Sequence, residues 1–301
     1  MKPRTRSAPS RKAGTPAGTP SKASAKPART NKTKVAVVEP GERLQKVMAR
    51  SGLGSRREIE QWITDGRVTV DRAPVQLGQR VRIGQEVALD GRQVRITATR
   101  PTIPQVFVLN KPAGTVCTRR DPERRPTAFE LLPAAERNRL IAVGRLDFNT
   151  MGLLLFTDDG ELAHRLMHPR YGIMREYAVR IFGEVDDAIV TRLGLGVEID
   201  GERLAFDSVE RQPGTGANAW FTCRLLTGRN REVRRLWESQ GCTVSRLLRV
   251  KFGTVQLPRR LPVGRCEALS DAARTELYQA VNLDPAREAA PAVVPARGRR
   301  R

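Results

Sequence analysis

The segment of residues 144–169 constrains the fold of this 301-residue chain more than any other part of the sequence. A four-residue apolar run, residues 140–143, leads into it, and a second run, residues 153–156, follows a polar loop. Runs of this length bounded by glycine predict two short buried strands. Asp147, in the loop between them, would then be rigidly aimed from a strand end, which suits a nucleophile or a base. An aspartate in a glycine-flanked loop is more often a turn or cap residue, and spacing alone leaves both interpretations open.

The same segment continues into a turn at residues 158–160 and then into a helix. Apolar residues recur at helical spacing over residues 161–167, and Pro169 ends the helix. His164 and His168 stand four residues apart on it, a spacing that can hold zinc. No glutamate follows His164 and no third ligand is evident, so we expect these histidines to pack at the helix end rather than to bind a metal.

The net charge of +22 indicates a polyanionic partner. The chain has 54 Lys and Arg residues against 32 Asp and Glu residues, and its pI is about 11.2. Nucleic acid is the commonest polyanion that such proteins bind, although a protein that is merely soluble can also be basic. The hydrophobic fraction of 39% is enough for one or two compact domains.

The cysteines and the apolar runs favour a reducing, aqueous compartment. Four cysteines, at positions 117, 223, 242 and 266, form no CxxC pair and predict reduced thiols rather than a zinc site or disulfides. No apolar run approaches the length of a membrane span, and the N-terminus lacks the apolar segment of a secretory signal. We therefore expect a soluble, cytoplasmic protein with no membrane partner.

The sequence GRLDFNTMGLLLFTDDGELAHRLMHP, which starts at Gly144, resembles the catalytic motif of the pseudouridine synthases. It is most similar to the branch of that family that modifies single sites in bacterial ribosomal RNA. The resemblance implies that Asp147 is the catalytic nucleophile. It also implies an α+β fold, with a mixed, mostly antiparallel sheet in the catalytic domain, and a reaction that requires no cofactor.

Residues 41–98 predict a small RNA-binding module. Leu44, Val47 and Met48 mark one helical face, and Ser55 with Glu58 predicts a capping box that starts a second helix. The sequence ERLQKVMARSGLGSRREIEQWITDGRVTVD resembles the S4 domain, whose helix pair presents basic residues to structured RNA. A plain solvated helix face is the alternative for each basic position. The resemblance implies the RNA contacts Arg43, Lys46, Arg56, Arg57 and Arg67.

Composition divides the rest of the chain. Residues 1–40 carry ten basic residues and one acidic residue among Pro, Ala, Ser and Thr, which predicts a disordered basic arm that attracts RNA phosphates. An organelle transit peptide is the second interpretation of this arm. Residues 99–104 predict a linker, residues 105–282 the catalytic domain, and residues 283–301 a disordered basic tail.

The resemblance implies roles for four more residues of the catalytic domain. Lys111, in the sequence NKPAG after a predicted strand, is a candidate RNA contact at the edge of the site, although a structural role in the turn is the stronger interpretation. Tyr177 is expected to stack on the target uracil and is a possible base. Arg234 is expected to form an ion pair with Asp147. Arg145 would fill the stack that the flipped base leaves, or hold a phosphate.

One local difference from several families of these synthases bears on which subgroup the chain resembles. Several families of these synthases have His-Gln where this chain has Arg231-Glu232. However, GRNREVRRLWE and CTRRDPERRPTAFELLP resemble the subgroup that acts on large-subunit ribosomal RNA.

The predicted function is therefore the isomerisation of uridine to pseudouridine at a specific site in 23S ribosomal RNA, with base flipping. The expected partner is 23S rRNA or an assembling large ribosomal subunit, and the expected oligomeric state is a monomer. Two alternatives stay open: a small-subunit (16S) rRNA synthase of the same family, and a non-catalytic factor in ribosome assembly. The sequence does not distinguish attack of Asp147 on C1′ from a route through a glycal.

Overall fold

The described part of the chain comprises four segments. The computed structural model describes residues 41–98, 104–213, 218–284 and 291–295, and these contain six α-helices and eighteen strands. The predicted arm at residues 1–40, nearly all of the predicted linker and most of the predicted basic tail lie outside the described residues.

The N-terminal module, residues 41–98, is built on the two helices that the sequence predicts, α1 (Leu44–Arg50) and α2 (Arg56–Thr64). The predicted capping box is present, because the Ser55 hydroxyl accepts the Glu58 N–H and the Glu58 carboxylate accepts the Ser55 N–H. Short antiparallel strands complete the module: β1 (Glu42–Arg43), β2 (Val68–Val70), β3 (Ala73–Pro74), β4 (Arg80–Val81), β5 (Glu86–Leu89) and β6 (Arg92–Ala98).

One apolar core holds this module together. Leu44, Val47 and Met48 of α1 are fully buried, and they meet Ile59 and Ile63 of α2. The spacing of three and four residues on each helix places these side chains on one face, which packs on the sheet. The basic residues of α1 and α2 are thereby left on the outer side.

A mixed sheet organises the chain after residue 104. Its central strands follow the order β13, β14, β10, β15, β9, β7, β17, with β8 paired to β9 and β16 to β15. In the described residues all its pairings are antiparallel except that of β9 with β15. The strands of this part of the chain are β7 (Val106–Lys111), β8 (Ile141–Val143), β9 (Met151–Thr157), β10 (Arg175–Phe182), β11 (Val197–Ile199), β12 (Glu202–Leu204), β13 (Ser208–Arg211), β14 (Asn218–Leu225), β15 (Thr243–Phe252), β16 (Val255–Gln256) and β17 (Cys266–Ala268).

Helices cover both faces of this sheet. Along β7, Phe107 and Leu109 enter one apolar cluster, whereas Val106 and Val108 enter another. The first cluster is completed by α4 (Asp187–Leu195) and α5 (Glu232–Glu238), the second by α3 (Gly160–Met167) and α6 (Asp271–Gln279). Because successive side chains of a strand point to opposite faces, strands buried on both sides read as continuous apolar runs.

Gly152 permits the parallel contact that closes the centre of the sheet. Its φ is +98°, and a Cβ at this position would lie 2.3 Å from the carbonyl oxygen of Arg249. Only glycine therefore lets β9 approach β15, where Gly152 is the register partner of Arg249. This pairing brings the loop before β9 next to β15 and so positions the site described below.

The observed architecture confirms the predicted fold class, and two details differ from the sequence interpretation. The three-residue strand β17, which pairs with β7, was not predicted from the sequence. The last strand, β18 (Pro291–Pro295), pairs with β6 of the N-terminal module. These five residues are therefore not disordered tail; prolines at both ends of the strand obscured it in the sequence.

Among the described residues, no helix combines the length and the apolar character that crossing a bilayer requires.

Candidate active site

A pocket of about 880 Å³ opens where the loop between β8 and β9 meets β10, β15 and the segment leading into α5. In the described residues its lining is strongly basic, with eight arginines against Asp121, Asp147 and Glu232. Guanidinium groups bind phosphate oxygens well, so the pocket suits a phosphodiester polyanion such as RNA. The arginines are Arg119, Arg125, Arg145, Arg175, Arg229, Arg231, Arg234 and Arg249.

Asp147 lies in the wall of this pocket, as the sequence led us to expect of a reactive carboxylate. The loop turns tightly here, since the Thr150 N–H donates to the Asp147 carbonyl oxygen at 3.0 Å. The side chain is half-buried, and within the described residues its carboxylate has no hydrogen bond or ion pair. A carboxylate that is fixed in place but not engaged remains available to a substrate.

Lys111 holds this loop in place from its buried side. Its side chain is 0% exposed, which corrects the prediction of an RNA contact. The Nζ group donates to the carbonyl oxygens of Pro112 (2.9 Å), Thr150 (2.9 Å), Asp147 (3.3 Å) and Phe148 (3.4 Å). Burial lowers the pKa of this ammonium below its usual range, and its interactions with Cys117 and Asp147 act in the opposite direction. The stronger interpretation from sequence, a structural role, is the one that the contacts support.

Arg234 approaches Asp147 without forming the direct ion pair predicted from the sequence. Its guanidinium instead donates to the carbonyl oxygens of Val244 (3.1 Å) and Asn149 (3.4 Å). Burial and the neighbouring Arg231 lower the pKa of Arg234, whereas Asp147 raises it. The electrostatic coupling to Asp147 is therefore present, but in this structure it acts across a gap.

Tyr177 and Arg145 both line the same pocket. Tyr177 lies on β10 beside an irregularity in the pairing with β15, and it is 8% exposed. Arg145 is exposed and lies two residues before Asp147 in the same loop. The structure thus brings together Asp147, Tyr177, Arg234 and Arg145; their individual roles stay predictions.

Two further arginines at the pocket were not identified from the sequence. Arg175 and Arg249 lie against the ring of Phe252, with guanidinium carbons 5.1 Å and 5.0 Å from its centroid. Arg249 is only 2% exposed and donates from Nε to the Leu153 carbonyl oxygen at 2.8 Å. Burial lowers the pKa of Arg175. A charged residue in the middle of an apolar strand was the signal that could have pointed to Arg249.

Glu232, the second residue of the pair that differs from the His-Gln pattern, has a structural role beside the pocket. This side chain is 4% exposed and accepts hydrogen bonds from the Thr227 hydroxyl (2.7 Å) and the Arg229 N–H (2.9 Å). It therefore shapes the segment that leads into α5 and that lines the pocket. Arg231, the other residue of the pair, is exposed and has a φ of +48°.

The basic residues of the N-terminal module fall into two groups. Lys46 pairs with Glu42 at 2.8 Å, and Arg67 makes a bidentate pair with Asp90 at 2.8 and 2.6 Å. The other candidates, Arg43, Arg56 and Arg57, are exposed and form no ion pair within the described chain. All five remain candidates for RNA contact, and the second group has fewer competing interactions.

His164 of α3 and His168, which follows the end of that helix, are both exposed and lie side by side. Their ring centroids are 5.5 Å apart, and Nδ1 of His168 accepts the Arg170 N–H at 3.2 Å. In the part of the chain that the structure describes, no group of three or more potential ligands could hold a metal ion.

Comparisons with known proteins agree on one family. Residues 105–239 match the family model of RNA pseudouridylate synthase, and residues 42–87 match that of the S4 domain. A crystal structure described as that of pseudouridylate synthase aligns with a TM-score of 0.55 and 26% identity, over 79% of this chain and 100% of that chain.

Several curated relatives carry the name ribosomal large subunit pseudouridine synthase B. The protein from Pseudomonas aeruginosa is 50% identical over 246 residues, which cover 81% of this chain but only 64% of that protein. The proteins from Yersinia pestis and from Escherichia coli strain K12 are also 50% identical over 246 residues, and there the alignment covers 77% and 84% of the relative.

Proposed function

Because the chain belongs to the RNA pseudouridylate synthase family, we propose that it isomerises uridine to pseudouridine at a specific site in 23S rRNA, the large-subunit RNA. The observation that carries the proposal is the position of Asp147, a carboxylate without a partner among the described residues, in the wall of an arginine-lined pocket. The names of the relatives support a target in the large subunit. The S4 match supports a second contact to RNA outside the pocket.

The proposed reaction begins when the target base leaves its stack and enters the pocket. Asp147 then attacks C1′ or removes a proton from C2′ to give a glycal. In both routes the N1–C1′ bond breaks, the uracil turns, and a C5–C1′ bond forms. In the first route the bond from the Asp147 oxygen to C1′ breaks as C5 attacks C1′, and in the second the proton on Asp147 returns to C2′. C5 loses its proton and N1 gains one, so the product is an isomer of the substrate. One carboxylate suffices here, whereas glycoside hydrolysis generally needs two placed across the bond.

The surrounding residues assist this sequence of steps by position and charge. Lys111 holds the carbonyl groups of the Asp147 loop and so limits the movement of the nucleophile. Tyr177 stacks on the detached uracil. Arg234 stabilises the anionic carboxylate across the gap between them. Arg145 and the other exposed guanidiniums hold the phosphates that flank the flipped nucleotide.

Release of tritium from RNA labelled with 5-³H-uridine tests the chemical step. We expect 23S transcripts to lose label with the wild-type protein. Asp147→Ala should abolish release, by at least about 10³-fold, while RNA binding is retained, because the substitution removes the reacting group but no phosphate contact. Asp187→Ala, an exposed position on α4, serves as the control. If Asp147→Ala released tritium at the wild-type rate, the proposed role of Asp147 would be wrong. If the wild-type protein bound RNA but released no tritium, the result would favour a non-catalytic factor in ribosome assembly.

Mapping pseudouridines by carbodiimide-stop sequencing in a strain that lacks the protein tests the target. Loss of one modified position in 23S rRNA is the expected result. Loss in 16S rRNA would instead assign the chain to a small-subunit synthase. We also propose that the protein is a monomer acting in the cytoplasm, where bacterial ribosomal RNA is made and assembled.

A further inference from the structure

Phe148, the residue after Asp147, exposes an aromatic ring at the mouth of the pocket. Its exposed fraction is 42%, and it belongs to the pocket lining. No step of the proposed reaction uses it. An exposed ring beside the reacting carboxylate presents a π-face on which a base can stack.

The backbone that carries the ring is held in position by hydrogen bonds. The Phe148 carbonyl oxygen accepts the Gly114 N–H at 2.9 Å and the Lys111 Nζ at 3.4 Å. Gly114 also lies close to the ring edge, since a Cβ there would be 4.0 Å from Phe148 Cζ. A base that meets this ring would therefore meet a surface that is already organised.

Arg125 adds a cation to one side of this ring. Its guanidinium carbon lies 5.8 Å from the ring centroid of Phe148. The guanidinium is anchored by a bidentate pair with Asp121, at 2.8 and 3.0 Å, and this pair lowers the pKa of Asp121 to about 2. The loop that carries Arg125 is closed at its base by the bridge between Val116 and Thr127. We call Phe148 and Arg125 together the aromatic rim.

We propose that the aromatic rim is a stacking site for an unpaired base next to the target uridine in the substrate RNA. The inference rests on the proposed function and specifies its substrate. Asp147 and Phe148 are consecutive residues and both line the pocket, so a base next to a nucleotide bound at Asp147 lies near the Phe148 ring. When the target base flips, the adjoining base loses a stacking partner, and an aromatic ring backed by a guanidinium replaces it.

This geometry favours unpaired RNA over a regular duplex. Side chains do not read the deep, narrow major groove of A-form RNA, whereas loops and bulges offer bases that can stack on aromatic residues. Stacking is tolerant of base identity because every base has a π-face. The rim thus contributes affinity for an open segment around the target rather than a preference for one sequence.

A substitution series at Phe148, read by tritium release, tests the energetic contribution of the rim. Phe148→Leu keeps an apolar side chain but removes the π-face, and we expect it to raise KM roughly 5- to 100-fold. Phe148→Tyr and Phe148→Trp should stay within about twofold of the wild type, since both keep an aromatic face. Phe182→Ala is the matched control, because Phe182 is also an exposed phenylalanine, at 62%, but lies at the far end of β10 from Arg175.

Fluorescence of 2-aminopurine tests the contact itself. The probe is a short RNA that spans the mapped pseudouridine site, with 2-aminopurine replacing either neighbour of the target uridine. The protein carries Asp147→Ala so that binding is observed without turnover. Stacking quenches this fluorophore. We therefore expect the double variant Asp147→Ala, Phe148→Leu to give higher fluorescence at saturation than Asp147→Ala alone, and the double variant Asp147→Ala, Phe182→Ala to give the same fluorescence as Asp147→Ala alone.

The outcomes separate this inference from the proposed function. If the wild type releases tritium but Phe148→Leu leaves both KM and the 2-aminopurine signal unchanged, the stacking site is wrong and the enzyme assignment stands. If the wild type releases no tritium, the proposed function and the stacking site are both wrong. Loss of activity in Phe148→Leu with full recovery in Phe148→Tyr supports stacking, because a fault in folding would not be restored by the larger, more polar side chain.

Discussion

At the scale of single residues, the order of the reactive loop depends on one buried ammonium group. Lys111 lies at the end of β7 and reaches the carbonyl oxygens of Pro112, the next residue, and of Thr150, near the start of β9. A buried lysine without a carboxylate partner is rare, because desolvation disfavours its charged form. Here four carbonyl dipoles replace the water that the ammonium loses. A group arranged in this way fixes the position of a nucleophile without touching the substrate.

Lys111→Met should therefore lower kcat more than it changes KM. The methionine has similar length but cannot donate to the carbonyls, so Asp147 becomes less well positioned. A displacement of about 1 Å near the reacting atoms can reduce the rate about 10²-fold, and we expect a fall of that order with KM within about threefold. Initial rates of tritium release at several RNA concentrations would separate the two constants.

A second lysine provides the control for this substitution. Lys251 is half-buried on β15 and is absent from the pocket lining, so Lys251→Met should leave kcat unchanged. Circular dichroism and thermal melting would establish that both variants are folded. An unchanged kcat in a folded Lys111→Met protein would contradict the positioning role.

At the scale of elements, apolar patterning predicted the two strands on either side of the Asp147 loop and the helix that follows them. The run at residues 153–156 marks a strand buried on both faces, and β9 is such a strand. The capping box at Ser55 was also readable, since its side chains act within one turn of chain. The position of the Asp147 loop could be predicted from the strands on either side of it and from the family motif.

Contacts between distant parts of the chain could not be predicted in this way. The carbonyl groups that hold Arg234 belong to Val244 and Asn149, and backbone groups leave no trace in a sequence pattern. The burial of Lys111 depends on the packing of the strands around it, which periodicity does not specify. The strand β17 has only three residues, too few for alternation to be recognised.

The residue that caps the N-terminus of α3 also links this helix to α6. Asp159 is its N-cap and accepts the N–H groups of Glu161 (2.9 Å) and Leu162 (3.3 Å). Its second oxygen accepts the hydroxyl of Tyr278, on α6, at 2.8 Å. Both Asp159 and Tyr278 are buried. The carboxylate thus contributes to the helix and to the packing of α3 on α6.

Asp159→Ala should lower the free energy of unfolding by about 2–4 kcal/mol, because it removes the cap and a charge-assisted buried hydrogen bond. Asp159→Asn should cost less, since the amide oxygen can still cap the helix. Urea denaturation of both variants and of Tyr278→Phe would measure these differences. Asp187→Ala, an exposed acidic residue in the first turn of α4, should change stability by no more than about 0.5 kcal/mol. Equal stability of Asp159→Ala and the wild type would show that the cap is dispensable.

At the scale of the whole molecule, positive charge is distributed in two ways. In the pocket, guanidiniums are fixed by hydrogen bonds, as for Arg249 with the Leu153 carbonyl and Arg125 with Asp121. Residues 1–40 carry another ten basic residues against Glu39, in a composition that predicts no core. Fixed charges can select one geometry of RNA, whereas charges on a chain without a core attract phosphates of any sequence. The two sets should therefore affect different steps.

Replacing the ten Lys and Arg residues of positions 1–40 by Gln and Ser, in the full-length chain, should weaken RNA binding without affecting the chemical step. Each lost phosphate contact reduces the slope of log K against log salt by about 0.7, so three lost contacts reduce it by about 2. The loss of affinity should be largest at low salt and should diminish as salt rises, while kcat stays within about twofold. Exchanging every Lys for Arg and every Arg for Lys over the same positions keeps the charge and is the matched control. If the neutral variant kept the wild-type slope but modified a different uridine, the arm would be selecting the site rather than raising the local concentration of RNA.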